Sequence, residues 1–228
     1  LADSKGGDPD KLLVVGAHLD SVAKGPGIND NGSGSSTILE IAEEMSEAKI
    51  KPRQKVRFAF WGAEEFGLLG SENYIGQLTD DEVAQHFANL NFDMVASPNY
   101  VRFVYDGDGS DTPVAGPAGS AQIEGVFNSY FASQNLATAP TAFDGRSDYG
   151  PFIGVGIPAG GLFSGAEGIK TAEQAATYGG TAGAPYDACY HEACDTINNL
   201  NTKALFELGD AAAHATLTLA VTRTGFFE

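Results

Sequence analysis

Apolar residues come along this chain in short continuous runs, and the first three runs each lead into histidine or acidic residues. Residues 12–17 (LLVVGA) end at His18, and residues 56–61 (VRFAFW) are followed by Gly62-Ala63-Glu64-Glu65. Residues 90–94 (LNFDM) carry Asp93 at their close. The unbroken run LLVVGA predicts a strand covered on both faces, and VRFAFW and LNFDM read as the next strand and a third buried one.

Between them the spacing changes. Ile38, Leu39, Ile41, Ala42 and Met45 share one broad helical face, which predicts a helix over about 35–48 after the polar loop 20–36. Residues 73–75 and 79–82 predict a second helical crossover, with Thr79 as N-cap and Glu82 three residues later. A shorter strand is expected at 101–105, near an edge, then a Gly/Pro-rich loop at 106–120 and a helix at 123–134. Residues 153–163 read as a Gly-rich strand with its outgoing loop. An Ala-rich helix at 202–219 closes the chain, with Leu205, Leu208, Ala212, Ala215 and Leu219 on its buried side. Alternating strands and helices with short loops predict an α/β fold: a mostly parallel or mixed central sheet flanked by helices.

Length and composition narrow the picture. The 228 residues suit one domain, and 43% hydrophobic content argues against disorder. Thirty acids against thirteen bases give a net charge of -17, which disfavours nucleic-acid or anionic-membrane partners and favours cations. No apolar stretch is long enough to span a membrane, and the first eleven residues lack the apolar core of a signal peptide. For an exported protein such a peptide has already been removed. Cys189 and Cys194 flank Tyr190-His191 closely enough to close a disulfide, which suits export; free thiols and metal ligation are the alternatives.

His18, Asp30, Glu65, Asp93 and His191 offer two imidazoles and three carboxylates, a donor set that zinc accepts well and that cobalt or manganese could share. Strand ends converge in open α/β sheets, so these distant positions can become neighbours. Glu64 and Glu65 are adjacent and can take different roles, one on metal and one on a proton; a solvent-facing acid pair is the plain alternative. The tract 106–120 resembles a calcium loop only superficially, because the ligand spacing of such loops is missing. Glycines 154, 156, 160 and 161 do not form a dinucleotide fingerprint.

The motifs HLDS, NDNGSG, AFWGAEEFGLLGS, NFDM, DGRSDYGPF and CYHEACD together resemble the secreted, two-zinc aminopeptidases of the M28 type, the small Streptomyces enzyme in particular. The resemblance runs from Leu12 into the last helix. It implies the zinc-exopeptidase (phosphorylase/hydrolase-like) fold and two Zn2+ ions bridged by Asp30, with His18 and Asp93 on one and Glu65 and His191 on the other. It further implies Glu64 as general acid/base, Tyr190 as oxyanion partner, and Asp20 orienting His18 from behind. A cis peptide at Asp30-Asn31 is implied as well. The substrate's free α-amine is expected to meet Glu64, Asp93 and the carbonyl of Arg146, whose side chain can also assist the peptide. Met94, Gly145 and Phe163 are implied to line a pocket for leucine, methionine or phenylalanine.

A secreted monomer acting on peptides with a free N-terminus follows from the resemblance, as does a weak calcium site near Asp3 and Asp210. The family's usual N-terminal segment is absent ahead of Leu1, so the chain reads as a single catalytic domain over 1–228, N-terminally truncated, with a sheet edge or helical layer at risk of exposure. Tyr149-Gly150 stands where the family more often has histidine and alanine, and the 106–120 loop is longer than expected. Rival readings are a single-zinc glutaminyl cyclase, a noncatalytic binding domain on the same fold, and a carboxypeptidase.

Overall fold

Strand β2 (Asp8–His18) shows why the chain folds as it does: residues 12–18 are all buried, and successive side chains point to opposite faces. Leu13, Val15 and Ala17 pack with Ile38 and Ile41 of α1 (Gly32–Glu47) on one face. Leu12 and Val14 join Ala59, Trp61, Ile75 and Phe152 on the other. Each fully buried side chain of this size contributes about 1.5 to 3 kcal/mol. Gly16 has a specific reason to be glycine, because a Cβ there would lie 2.6 Å from the Trp61 indole nitrogen.

A computed structural model describes residues 1–223 and 225–227. A seven-stranded sheet holds β1 (Ala2–Asp3), β2, β3 (Gln54–Trp61), β4 (His86–Phe92), β5 (Phe103–Tyr105), β6 (Ala139–Thr141) and β7 (Ala159–Phe163), in the order β1-β3-β2-β4-β7-β5-β6. The central four strands are parallel; β1 and β5 run antiparallel to their neighbours β3 and β7. The mixed sheet expected from the sequence is present.

The large core cluster joins α1, α4 (Ser120–Ser133) and α7 (Thr202–Val221) to the sheet. The smaller one gathers α2 (Leu69–Gly76), α3 (Asp80–Gln85) and α5 (Tyr149–Gly154) on the opposite face. From β2 the chain crosses to β3 on one side and then returns to β4 on the other. The order therefore reverses beside β2, and a crevice opens at the carboxyl ends of these strands.

Several boundaries differ from the sequence pattern. Helix α1 starts at Gly32, earlier than expected, since the Asn31 side chain caps it by accepting the Gly34 amide. The second crossover is two short helices, α2 and α3, and the Thr79–Glu82 capping box opens the second of them. Residues 153–163 are not one strand: Tyr149 and Phe152 bury one face of α5, with Pro151 tolerated in its first turn, before β7 begins. Strand β6, with Pro140 at the sheet edge, and helix α6 (Ala172–Tyr178), opened by a Thr171–Gln174 capping box, carried too little periodicity to be read.

Loop 106–120 is a loop, as expected. Both carboxylate oxygens of Asp106 are taken up by the amides of Gly109, Ser110, Asp111 and Thr112, so this acid builds the turn even though Asp108 and Glu124 lie close to it.

Candidate metal centre

His18 closes β2 at the crevice and is 1% exposed. Its Nδ1 meets the Asp20 carbonyl oxygen at 3.0 Å; a carbonyl only accepts, so Nδ1 carries the proton. Nε2 then faces Asp30 Oδ1 and Asp93 Oδ1, each at 3.2 Å. Asp30 turns its second oxygen to His191 Nε2 at 3.2 Å, and Glu65 Oε2 reaches the same nitrogen at 2.9 Å. Two groups result, His18/Asp30/Asp93 and Asp30/Glu65/His191, and Asp30 belongs to both.

The donors fit two zinc-sized ions. Ligands about 2.0 Å from a tetrahedral ion stand about 3.3 Å apart, close to the separations found here. Glu65 Oε1 is buried with no hydrogen-bond partner among the described residues, as an oxygen facing a cation would be. His18, Asp93 and Asp30 would hold one ion, and Glu65, His191 and Asp30 the other.

Local backbone geometry aims these side chains. Ala63, Leu68, Met94 and His191 have φ between 55° and 61°, each within a few residues of a metal-facing acid or being one of the ligands. The Asp30-Asn31 peptide is cis, as the resemblance implied. Asn31 joins α1 to the exit of β4: its Oδ1 also accepts the Met94 amide, and its Nδ2 donates to the Phe92 carbonyl. Ser147 donates to Asp93 Oδ2 at 2.6 Å and accepts from Asn91 Nδ2, which leaves Asp93 Oδ1 turned toward His18.

Charge in the crevice is strongly negative. Burial, then the Asp93 charge, pushes Glu64 up to about 9; burial, then Asp30, pushes Glu65 up to about 8. Asp30 is raised by burial too, while Asp148 is pushed up to about 7 for the same reason. Burial works against a charged His18, yet Asp93 and Asp30 outweigh it and push the imidazole up to about 12. A cleft in which carboxylates retain protons and an imidazole takes an extra one is a cleft short of positive charge.

Glu64 stands apart from both groups. Its Oε2 lies 3.9 Å from His18 Nε2, and it lines a cavity that opens to solvent. Met94, Phe163, Arg146, Tyr190 and His191 share the wall, as do Tyr105, Thr141, Ala142, Asp144 and Ala166, which the sequence did not single out. Gly145 is not part of the wall; its amide donates to the Tyr149 hydroxyl, and its neighbours Asp144 and Arg146 face the cavity. Arg146 binds Glu167 at 3.0 Å and donates to the Tyr190 hydroxyl at 3.4 Å. The Cys189–Cys194 disulfide closes the loop that carries Tyr190 and His191.

Two further expectations change. The Asp20 carboxylate is 3.7 Å from His18 Nδ1 and accepts instead the amides of Glu64 and Glu65; the histidine is oriented by the Asp20 backbone carbonyl. Calcium finds no support at Asp3 and Asp210: Asp3 makes two bonds to the Arg57 guanidinium, and neither acid belongs to a metal-capable group among the described residues.

The sequence pattern of Peptidase family M28 matches residues 1–216. The chain belongs to peptidase family M28. Among relatives, an "Aminopeptidase" of Pseudomonas aeruginosa is 53% identical over 221 residues, covering 97% of this chain and 41% of that protein. A "probable leucine aminopeptidase 2" of Aspergillus oryzae is 52% identical over 220 residues, covering 96% and 44%. The chain thus spans less than half the length of these curated relatives. Of the solved structures, a zinc aminopeptidase from Bacillus subtilis superposes with a TM-score of 0.75 at 26% identity, covering 98% of this chain and 50% of that one. The M28 fold explains why the candidate ligands, scattered from 18 to 191, meet at the carboxyl ends of the central strands.

Proposed function

We propose that this chain is the catalytic part of a two-zinc aminopeptidase that removes single residues from a free N-terminus, with preference for large hydrophobic side chains such as Leu, Met or Phe. The observation that carries this reading is Glu64, a buried carboxylate that borders the cavity beside two ligand groups and belongs to neither. The leucine aminopeptidase name of the fungal relatives supports the side-chain preference, and the motif likeness to the small Streptomyces enzyme points the same way.

Zinc, when bound, supplies Lewis acidity toward the scissile carbonyl and acidifies a water. Cations held by the two ligand groups would favour the ionised form of Glu64, whose Oε2 would then take a proton from a water in the cavity and return it to the leaving amine. Arg146 can only donate, so its contact with Tyr190 occupies a lone pair and leaves the phenolic proton for the developing oxyanion. Glu64, Asp93 and the Arg146 carbonyl would receive the substrate's α-ammonium, so a blocked N-terminus is expected to be rejected. Met94 and Phe163 offer a thioether and an aromatic face to the first side chain.

The disulfide suits an oxidising, extracellular setting. No described helix is long and apolar enough to cross a membrane, and the net charge of -17 disfavours nucleic acid. The reading takes the protein as a secreted monomer.

Leucyl-p-nitroanilide, its N-acetylated analogue and a C-terminal reporter peptide test the proposal on zinc-loaded protein. Only the first is cleaved, and Glu64→Gln lowers kcat by about 10^2 to 10^4 with two zincs retained. Wild-type protein that binds two zincs and releases no leucine overturns the reading.

A further inference from the structure

The motif CYHEACD ends in Asp195, a residue to which the chemistry above gives no role. It is 1% exposed and holds three consecutive amides of the Asp30 loop. Ile28 donates to its backbone carbonyl at 3.1 Å, Asn29 to Oδ1 at 2.9 Å and Asp30 to Oδ2 at 3.0 Å. Asn199 Nδ2 supports Oδ1 from the side at 3.2 Å. A carboxylate that accepts several amides is fixed in direction and fixes the backbone that donates to it.

Asp195 also follows Cys194 and lies four residues after His191, so the loop that presents His191 is joined through it to Asp30. Asp187 brackets the other end of this loop. It accepts from the side chains of Asn29 and Asn199 and from the Cys189 amide, but from none of the three amides at 28–30.

We infer that Asp195 is a positioning residue that sets the separation of Asp30 and His191, and so tunes the Asp30/Glu65/His191 subsite in preference to the one at His18. The asymmetry follows from what holds each group. His18 and Asp93 sit at or directly after adjacent parallel strands, whose hydrogen bonds fix them independently of Asp195. His191 has no strand beneath it, has a left-handed backbone, and is 37% exposed at its side chain. Besides its side-chain contact with Glu65 and its stacking on Tyr190, it is held beside Asp30 by its loop attachments.

The inference rests on the two-metal reading and is tested without turnover, by titrating zinc into metal-free protein and measuring the two affinities separately. His191→Ala marks which affinity belongs to the His191 subsite. Asp195→Asn keeps the shape but turns an amide group toward one of the donors. It is expected to weaken the His191 subsite by about 10- to 100-fold, the range for outer partners of metal ligands, and to change the other by less than about threefold. Asp187→Asn is the control: thermal stability falls while the ratio of the two affinities stays within about twofold.

If Asp195→Asn does not fold, Asn199→Ala removes the lateral support of the Asp195 carboxylate together with a contact to Asp187, and Asp187→Asn controls for the second loss. Asn199→Ala is expected to give a smaller loss, about threefold, at the same subsite. Equal weakening of both subsites, or none, overturns the inference. Wild-type protein that binds fewer than two zincs overturns the metal reading instead.

Discussion

The Asp20 carboxylate accepts the backbone amide of Glu64 at 3.0 Å, and its other oxygen accepts that of Glu65 at 3.3 Å. One side chain two residues beyond His18 therefore fixes the loop that carries both glutamates, while its own carbonyl holds the His18 ring. Strand β2 and the exit of β3 are locked together where the chemistry is built.

Asp20→Asn should separate these two roles. The backbone carbonyl that orients His18 survives, but the amide nitrogen of the new side chain cannot accept from a backbone N–H. Activity toward leucyl-p-nitroanilide is expected to fall by about 10- to 100-fold, with the His18 subsite still binding zinc. Parallel measurement of kcat and zinc content checks this, and unchanged kcat excludes the clamp.

Zinc binding should release protons. Without metal, Glu65 titrates at about 8 and His18 at about 12, so both hold a proton at neutral pH that ligation must displace. Apparent zinc affinity therefore rises with pH, with Glu65 contributing up to about pH 8 and His18 beyond it. Calorimetric heats of zinc binding at about pH 7 should differ between buffers of different ionisation enthalpy; identical heats contradict the expectation.

Acid should destabilise the opposite end of the sheet through His86. Burial, reinforced by the Arg57 charge, lowers this imidazole from the ordinary 6.5. Its Nδ1–H donates to the Glu82 carbonyl, and Nε2 meets the Tyr74 hydroxyl, which accepts from Arg57 and so donates to the ring. The unfolded chain binds the extra proton more readily than the folded one. Stability is thus full above about pH 6.5 and falls as pH drops through that value. In metal-free protein, denaturant midpoints between about pH 7 and about pH 5 should decline, and His86→Gln should flatten that decline; an equal slope in both proteins refutes the assignment.

The difference between expected and observed elements has a consistent cause. Buried strands were legible in LLVVGA, where burial on both faces leaves no polar position, and in VRFAFW, where Arg57 alone interrupts the apolar residues, and α7 was legible in its long apolar stripe. Helix α6 and strand β6 are short and partly exposed; local hydrogen bonds at Thr171 and pairing with β5 define them, and neither leaves a periodic trace. Likewise Ser147 acts through the side chains of Asp93 and Asn91, and Asp187 and Asp195 accept from particular backbone amides and asparagine side chains, which an isolated serine or aspartate does not announce. For Ser147 and Asp195 the signal was their place inside DGRSDYGPF and CYHEACD; Asp187 lies outside both.

By itself, the sequence determined the layering of strands and helices, the ligand types and the motif set of the family, because hydropathy and donor chemistry are properties of residues. Only the tertiary structure decided that Asp30 faces both imidazoles, that Asp20 serves the two glutamates more than His18, and that Asp195 ties Asp30 to the disulfide loop. These are distances between atoms far apart in the chain, set by the reversal of strand order beside β2 and by buried hydrogen bonds that exist only once the crevice has closed around them.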